Sequence, residues 1–127
     1  MTREARRNAY LYCKFRDEQF ALYDEYAKSH GMPLKTLLVA NVLFYAEDGM
    51  TQKEICQRTF QSKQTVNLII KNFLADGHVT VSEVPGNKRI KLVRMTEEGR
   101  ASCENVVRHI TWAEDTAMSM FTEEEQK

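Results

Sequence analysis

Apolar residues recur along most of this chain with the 3.6-residue period of a helix, broken once by a period of two. The pattern predicts five helices and one hairpin. A first helix runs over residues 3–29 and is closed by Gly31, which accepts a left-handed backbone, and by Pro33, which cannot continue the spiral. It holds Tyr10, Tyr12, Phe15, Phe20, Tyr23 and Tyr26, half of the chain's 12 aromatic residues, more rings than a lone surface helix can use. The next segment, Leu34 to Ala46, is apolar almost all round, with Leu37, Leu38, Val42 and Tyr45 along one face, and reads as a central helix. Asp48-Gly49 stops it.

Thr51 followed by Glu54 has the spacing of a capping box and opens a short third helix to about Thr59. A fourth starts near Ser62, a good N-cap, with Val66, Ile69, Ile70, Phe73 and Leu74 on one face and Gln64, Asn67, Leu68, Lys71 and Asn72 on the other. Asp76-Gly77 ends it. Then Val79 and Val81 alternate with Thr80 and Ser82, and Ile90 and Leu92 with Arg89 and Lys91, which implies two strands. Between them Val84-Pro85-Gly86-Asn87 places Pro and Gly in the central positions of a type II turn. Thr96, with Glu97 and Glu98 behind it, starts a long last helix whose apolar stripe is Val106, Val107, Ile110, Ala113, Ala117 and Phe121. Thr122 and Glu125 repeat the capping-box spacing near the end.

A chain of 127 residues fits one domain and leaves no room for a second, so residues 1–127 are expected to fold as one unit. The formal net charge is zero, which excludes a general polycation. Its distribution is uneven, however, with 7 basic and 7 acidic residues over 1–50, 8 and 3 over 51–94, and 3 and 8 over 95–127. The basic middle is the part suited to a polyanion. Cys13, Cys56 and Cys103 lie too far apart for a disulfide framework or a close metal-ligand pair, and reduced thiols are expected. The N-terminus has no secretory pattern, and Leu37 to Ala46 is too short for a bilayer that needs about 20 apolar residues. The expectation is a cytoplasmic protein with no membrane partner.

Short helix, tight turn, amphipathic helix with a polar outer strip, then a basic hairpin: this is the order of a winged helix-turn-helix, a mainly α fold with a small β-hairpin wing. A helix fits the major groove of double-stranded DNA, where amides pair with adenine and cations with guanine or phosphate, and a basic hairpin suits the backbone or the minor groove beside it. The candidate DNA-binding residues are Ser62, Lys63, Gln64, Thr65, Asn67, Leu68, Lys71 and Asn72 on the helix 62–76, with Lys88 and Arg89 on the wing 84–90. Leu68 is expected either against a thymine methyl or in packing. Nothing points to an enzyme: there is no nucleophile-and-base spacing, and the 5 glycines form no phosphate-cradling loop. His30, His78 and His109 are scattered, so neither a metal nor a cofactor is expected.

The segments Thr51-Gln52-Lys53-Glu54-Ile55, Ser62-Lys63-Gln64-Thr65-Val66 and Lys91-Leu92-Val93-Arg94-Met95-Thr96-Glu97-Glu98-Gly99 resemble the DNA-binding lobe of MarR-type transcriptional regulators. The resemblance covers about residues 32–121. It implies a homodimer built by helical arms at 1–31 and 96–127 around a lobe at 32–95, which reads a pseudo-palindromic operator and is released by a small ligand or an oxidant. The family's wing arginine falls on Arg89. The chain departs from the pattern at Asn87, where the family has Asp, at Phe60, where the turn commonly has Gly, and at Cys56, in place of the usual small residue. The family's last helix is reduced to a stub after Thr122, which bears on the dimer interface.

The sequence-based reading is therefore a homodimeric repressor. Aromatics of the first helix, Tyr12, Phe15 and Tyr23, are expected to line a pocket for a small aromatic effector. Two alternatives stand beside it: a winged helix that docks proteins, and a thiol-based regulator using Cys13, which would follow the redox branch of the family.

Overall fold

The computed structural model describes residues 2–126 and divides into two compact units, one ending at Leu34 and the other starting at Lys35. The first is dominated by α1 (Arg3–Ser29), whose start is capped by the Thr2 hydroxyl accepting the Ala5 N–H at 3.0 Å. At its end the Gly31 N–H bonds the Lys28 carbonyl and the Met32 N–H bonds the Ala27 carbonyl, each at 3.0 Å, with Gly31 at φ 75°. That pair of bonds is a Schellman closure, and it satisfies two carbonyls the helix would leave bare. Tyr10, Tyr12, Phe15, Phe20 and Leu22 all stand exposed on this helix.

The second unit holds α2 (Leu34–Tyr45) from its second residue on, and then β1 (Met50–Thr51), α3 (Gln52–Thr59), α4 (Lys63–Ala75), β2 (Val79–Val84), β3 (Asn87–Met95) and α5 (Glu97–Ser119). It is the winged helix-turn-helix expected from the order of elements. Val39, Leu43 and Phe44 of α2 meet Ile55 of α3, Val66, Ile69 and Ile70 of α4, Val79, Val93 and Met95 of the sheet, and Cys103 and Val107 of α5 in one apolar core. The interdigitation of these branched side chains is what fixes α3 and α4 relative to the sheet.

The helix starts follow their local chemistry. Thr51 and Glu54 complete a capping box in both directions, Ser62 caps α4 by accepting the Thr65 N–H, and Thr96 caps α5 by accepting the Gly99 N–H. The end of α4 repeats the closure of α1, with the Gly77 N–H on Leu74 and the His78 N–H on Phe73. Thr122 and Glu125 also bond reciprocally, and the Thr122 N–H holds the Glu125 carboxyl below its ordinary value. They cap only a turn, not an α-helix.

The sheet differs from the two strands expected. It has three, in the order β1-β3-β2, because Met50 and Thr51 pair with Val93 and Leu92 along the outer edge of β3. A register shift between Glu83 and Val84 leaves Lys88, Arg89 and Ile90 without partners on β2. The inward residues of β3 are consequently Val93 and Met95, and Ile90 is exposed. Four other apolar positions also depart from expectation. Tyr45 turns outward to share a hydrogen bond with Thr111, and the α5 stripe is buried only as far as Ile110, leaving Ala113, Ala117 and Phe121 exposed.

Phe60, at the turn position where glycine was the usual choice, adopts φ 53° and ψ 39° itself, with its N–H on the Cys56 carbonyl. Its side chain is 95% exposed. A left-handed conformation costs an ordinary residue about 1–2 kcal/mol, and the ring gains no packing in return. Phe60→Gly is expected to raise unfolding stability by about 0.5–1 kcal/mol after glycine's greater freedom in the unfolded chain is counted, read as a higher midpoint in urea denaturation. A lower midpoint would mean that the ring is packed in solution.

Candidate nucleic-acid interface

The helix α4 sorts its side chains sharply. Val66, Ile69 and Ile70 lock one face into the core, which leaves Lys63, Gln64, Asn67, Leu68, Lys71 and Asn72 exposed on the other. Thr65 is half-buried, and Ser62, though exposed, is committed to capping: its hydroxyl accepts the Thr65 N–H at 3.1 Å and donates to Thr65 Oγ1 at 2.9 Å. Among the described residues, Lys63, Gln64, Lys71 and Asn72 have no side-chain partner in the chain. Their donors and charges are available to a ligand. Leu68 stands among them 62% exposed, an apolar residue on a polar strip. No acidic residue occupies the first turn of α4, so the positive end of its dipole is not offset locally.

The wing is shaped by its turn. Gly86 takes φ 84°, as a Pro-Gly type II turn requires, and the chain then returns through Asn87. Asn87 Oδ1 accepts the Arg89 N–H at 3.0 Å, so the residue that departs from the family's Asp orients the backbone of Arg89. Lys88 and Arg89 are exposed within the unpaired stretch of β3, and among the described residues neither has an ion-pair partner. One step further on, Lys91 pairs across the strands with Glu83 at 3.2 Å, an exposed pair worth little in water.

A cleft of about 490 Å³ joins these parts. Thr51, Gln52, Lys53 and Cys56 of the α3 end, Lys63 at the start of α4, and Arg89, Ile90 and Lys91 of the wing line it. Four cations around one cleft concentrate positive potential there, although the chain as a whole is neutral. The outward strip of α4 adjoins the cleft through Gln52, whose Nε2 donates to Asn67 Oδ1 at 2.7 Å. Of the predicted DNA-binding residues, then, Lys63 and Arg89 meet at the cleft, and Gln64, Asn67, Leu68, Lys71 and Asn72 lie on the exposed face of α4. Sequence reasoning left Thr51, Gln52, Lys53, Cys56, Ile90 and Lys91 out of the candidate residues. Lys53 carried a signal in its charge, but only the folded arrangement brings the start of α3 up to the wing.

The other candidate sites fall elsewhere. Tyr12 and Phe15 are exposed on α1 and Tyr23 is half-buried there, and none of the three lines the cleft. Cys13 is exposed, Cys56 intermediate and Cys103 buried, where burial pushes the Cys103 thiol up. Among the described residues no group of three His, Cys, Asp or Glu side chains is placed to hold a metal ion, and no helix is long and apolar enough to cross a membrane.

Residues 30–90 match the family model described as "MarR family". No curated protein matches the chain at a significant level. Among solved structures, MepR of S. aureus in its DNA-binding conformation is 19% identical with a TM-score of 0.80, covering 93% of this chain and 87% of that one. NMB1585, a MarR family regulator from Neisseria meningitidis, is 19% identical with a TM-score of 0.74, over 98% of this chain and 83% of that one. The S. aureus MepR-DNA complex is 20% identical with a TM-score of 0.70, over 93% and 86%. At these identities the structures establish a shared fold.

Proposed function

Given a MarR-family segment at residues 30–90 within a winged helix-turn-helix, we propose that this protein is a DNA-binding transcriptional regulator, acting in the cytoplasm as a homodimeric repressor. The observation that carries the reading is the shared surface: the exposed amides and cations of α4 adjoin a cleft lined by Lys53, Lys63, Arg89 and Lys91. In this reading α4 enters the major groove, with Gln64, Thr65, Asn67 and Asn72 at base edges, Leu68 against a thymine methyl and Lys71 on phosphate, while Lys88 and Arg89 meet the backbone or minor groove. Ser62 serves by capping the helix, whose N-terminal N–H groups suit a phosphate. The solved MepR-DNA complex, a protein of the same fold with DNA bound, supports this use of the scaffold.

The homodimer is supported by apolar surface. Tyr10, Tyr12, Phe15 and Phe20 on α1, and Trp112, Met118 and Met120 on or next to the end of α5, are all exposed by half or more, which a soluble monomer seldom tolerates in such number. We assign these segments, 1–31 and 96–127, as dimerisation arms around a DNA-binding lobe at 32–95, and Tyr12, Phe15 and Tyr23 as the place of a small aromatic effector. The function is that of a binding protein and not of an enzyme.

Selection from a random duplex library tests the assignment. The expected product is an inverted repeat, footprinted as two protected major-groove segments about 34 Å apart. Recovery of unenriched sequence, or of a single unrepeated site, would refute the dimeric operator reading.

A further inference from the structure

Asn67 sits in the middle of the outward strip of α4, yet its amide is not free. The Gln52 side chain, from the first position of α3, reaches across the turn and donates Nε2–H to Asn67 Oδ1 at 2.7 Å, the one hydrogen bond between side chains of α3 and α4 among the described residues. An unconstrained asparagine reads adenine with both ends of its amide, Oδ1 accepting from N6 and Nδ2 donating to N7. Here Oδ1 is held toward α3, and Nδ2, which has no other partner among the described residues, is the edge left for a ligand.

We propose that Gln52 is a specificity-determining residue: by holding Asn67 Oδ1, it makes Asn67 a hydrogen-bond donor to the base, so that the pair accepts any base with an accepting major-groove atom, guanine O6 or N7, thymine O4 or adenine N7, and selects against cytosine, whose N4 only donates. The inference rests on α4 being the base-reading helix, and it goes beyond that reading by naming a residue outside the helix that sets what the helix reads. Gln52 itself stays at the cleft, between Thr51 and Lys53, and needs no base contact to act. It is a positioning residue, and its effect appears in the ranking of bases and not in the charge-driven affinity.

The chemistry gives a variant with an opposite prediction. In Gln52→Glu the carboxylate can only accept, so Asn67 turns Nδ2 toward residue 52 and leaves Oδ1 for the duplex. An acidic residue in the first turn of α3 suits the helix dipole, so the fold is retained. The experiment is a base-substitution series on the selected duplex, measured by fluorescence anisotropy for the wild type, Gln52→Glu, Asn67→Ala and the double variant. The added negative charge weakens binding to every duplex alike and cancels in the ratios. At one symmetry-related pair of positions the wild type is expected to disfavour cytosine by roughly tenfold against the other three bases, and Gln52→Glu to prefer adenine and cytosine over guanine and thymine instead. Asn67→Ala should flatten that position, and adding Gln52→Glu should leave it flat.

An unchanged ranking in Gln52→Glu, or a change that persists when Asn67 is already alanine, overturns the inference while salt-sensitive, sequence-selective binding by the wild type keeps the regulator reading intact. A wild type that ranks no base at any position overturns both.

Discussion

Replacing Gly99 with alanine is expected to destabilise the fold by about 3 kcal/mol, the upper end of what forced overpacking usually costs. A Cβ at this position would lie 2.1 Å from the His78 carbonyl oxygen and 2.9 Å from its carbonyl carbon. Both are backbone atoms, and neither can swing aside. His78 is tied on each side, its N–H to the Phe73 carbonyl at 2.8 Å and its carbonyl to the Thr96 N–H at 2.9 Å. Thr96 in turn donates its hydroxyl to the Gly77 carbonyl at 2.8 Å and caps Gly99. This knot fastens the start of α5 to the end of α4, so making room for a methyl group means displacing α4. The sign of the effect is diagnostic, because helix propensity alone would make alanine better than glycine by about 1 kcal/mol. Urea denaturation of Gly99→Ala should show a midpoint well below wild type, and an equal or higher midpoint would show that α5 does not approach His78 in solution.

Removing the exposed cations Lys71 and Arg89 together should have the largest effect on function. Each is exposed and, among the described residues, without a partner in the chain, so the double alanine variant breaks no internal ion pair and should fold with wild-type stability. Surface substitutions of this kind usually stay within about 0.5 kcal/mol. If each contacts one phosphate, the slope of log K against log salt should flatten by about 0.9 per residue, or about 1.8 for the pair, with affinity lost to every duplex in similar proportion. Titrations of the variant and the wild type against one duplex at four salt concentrations give both slopes. Equal slopes would mean that neither side chain lies on the backbone, and the placement of the strip and the wing against the duplex would fall.

Local chemistry was the legible part of this molecule. The starts at Thr51, Ser62 and Thr96 and the stops at Gly31 and Gly77 depend on residues within a turn of each other, and each appears where the sequence places it. The core face of α4 followed from its 3.6-residue period for the same reason as far as Phe73, whereas Leu74, expected on that face, stands exposed at the helix end. What escaped was non-local. A two-residue strand such as β1 has no periodicity, and its existence depends on β3 lying alongside it some forty positions later. The phase of β3 depends on a register shift that no alternation reveals, and Ile90 faces outward as a result. Phe60 shows a local rule overridden, since packing on both sides of the turn forces a left-handed residue whether or not glycine is there. At the candidate site the amide strip of α4 was readable, whereas the cleft and the Gln52–Asn67 bond, which join elements through the turn and the wing, were not.

Chemical-shift mapping asks the central question of the molecule itself. Isotope-labelled protein titrated with its selected duplex should show shifts concentrated at residues 62–72 on and before α4, at 51–56 beside the cleft and at 86–91 of the wing. Shifts confined to other surfaces, with those three segments undisturbed at saturation, would contradict the account.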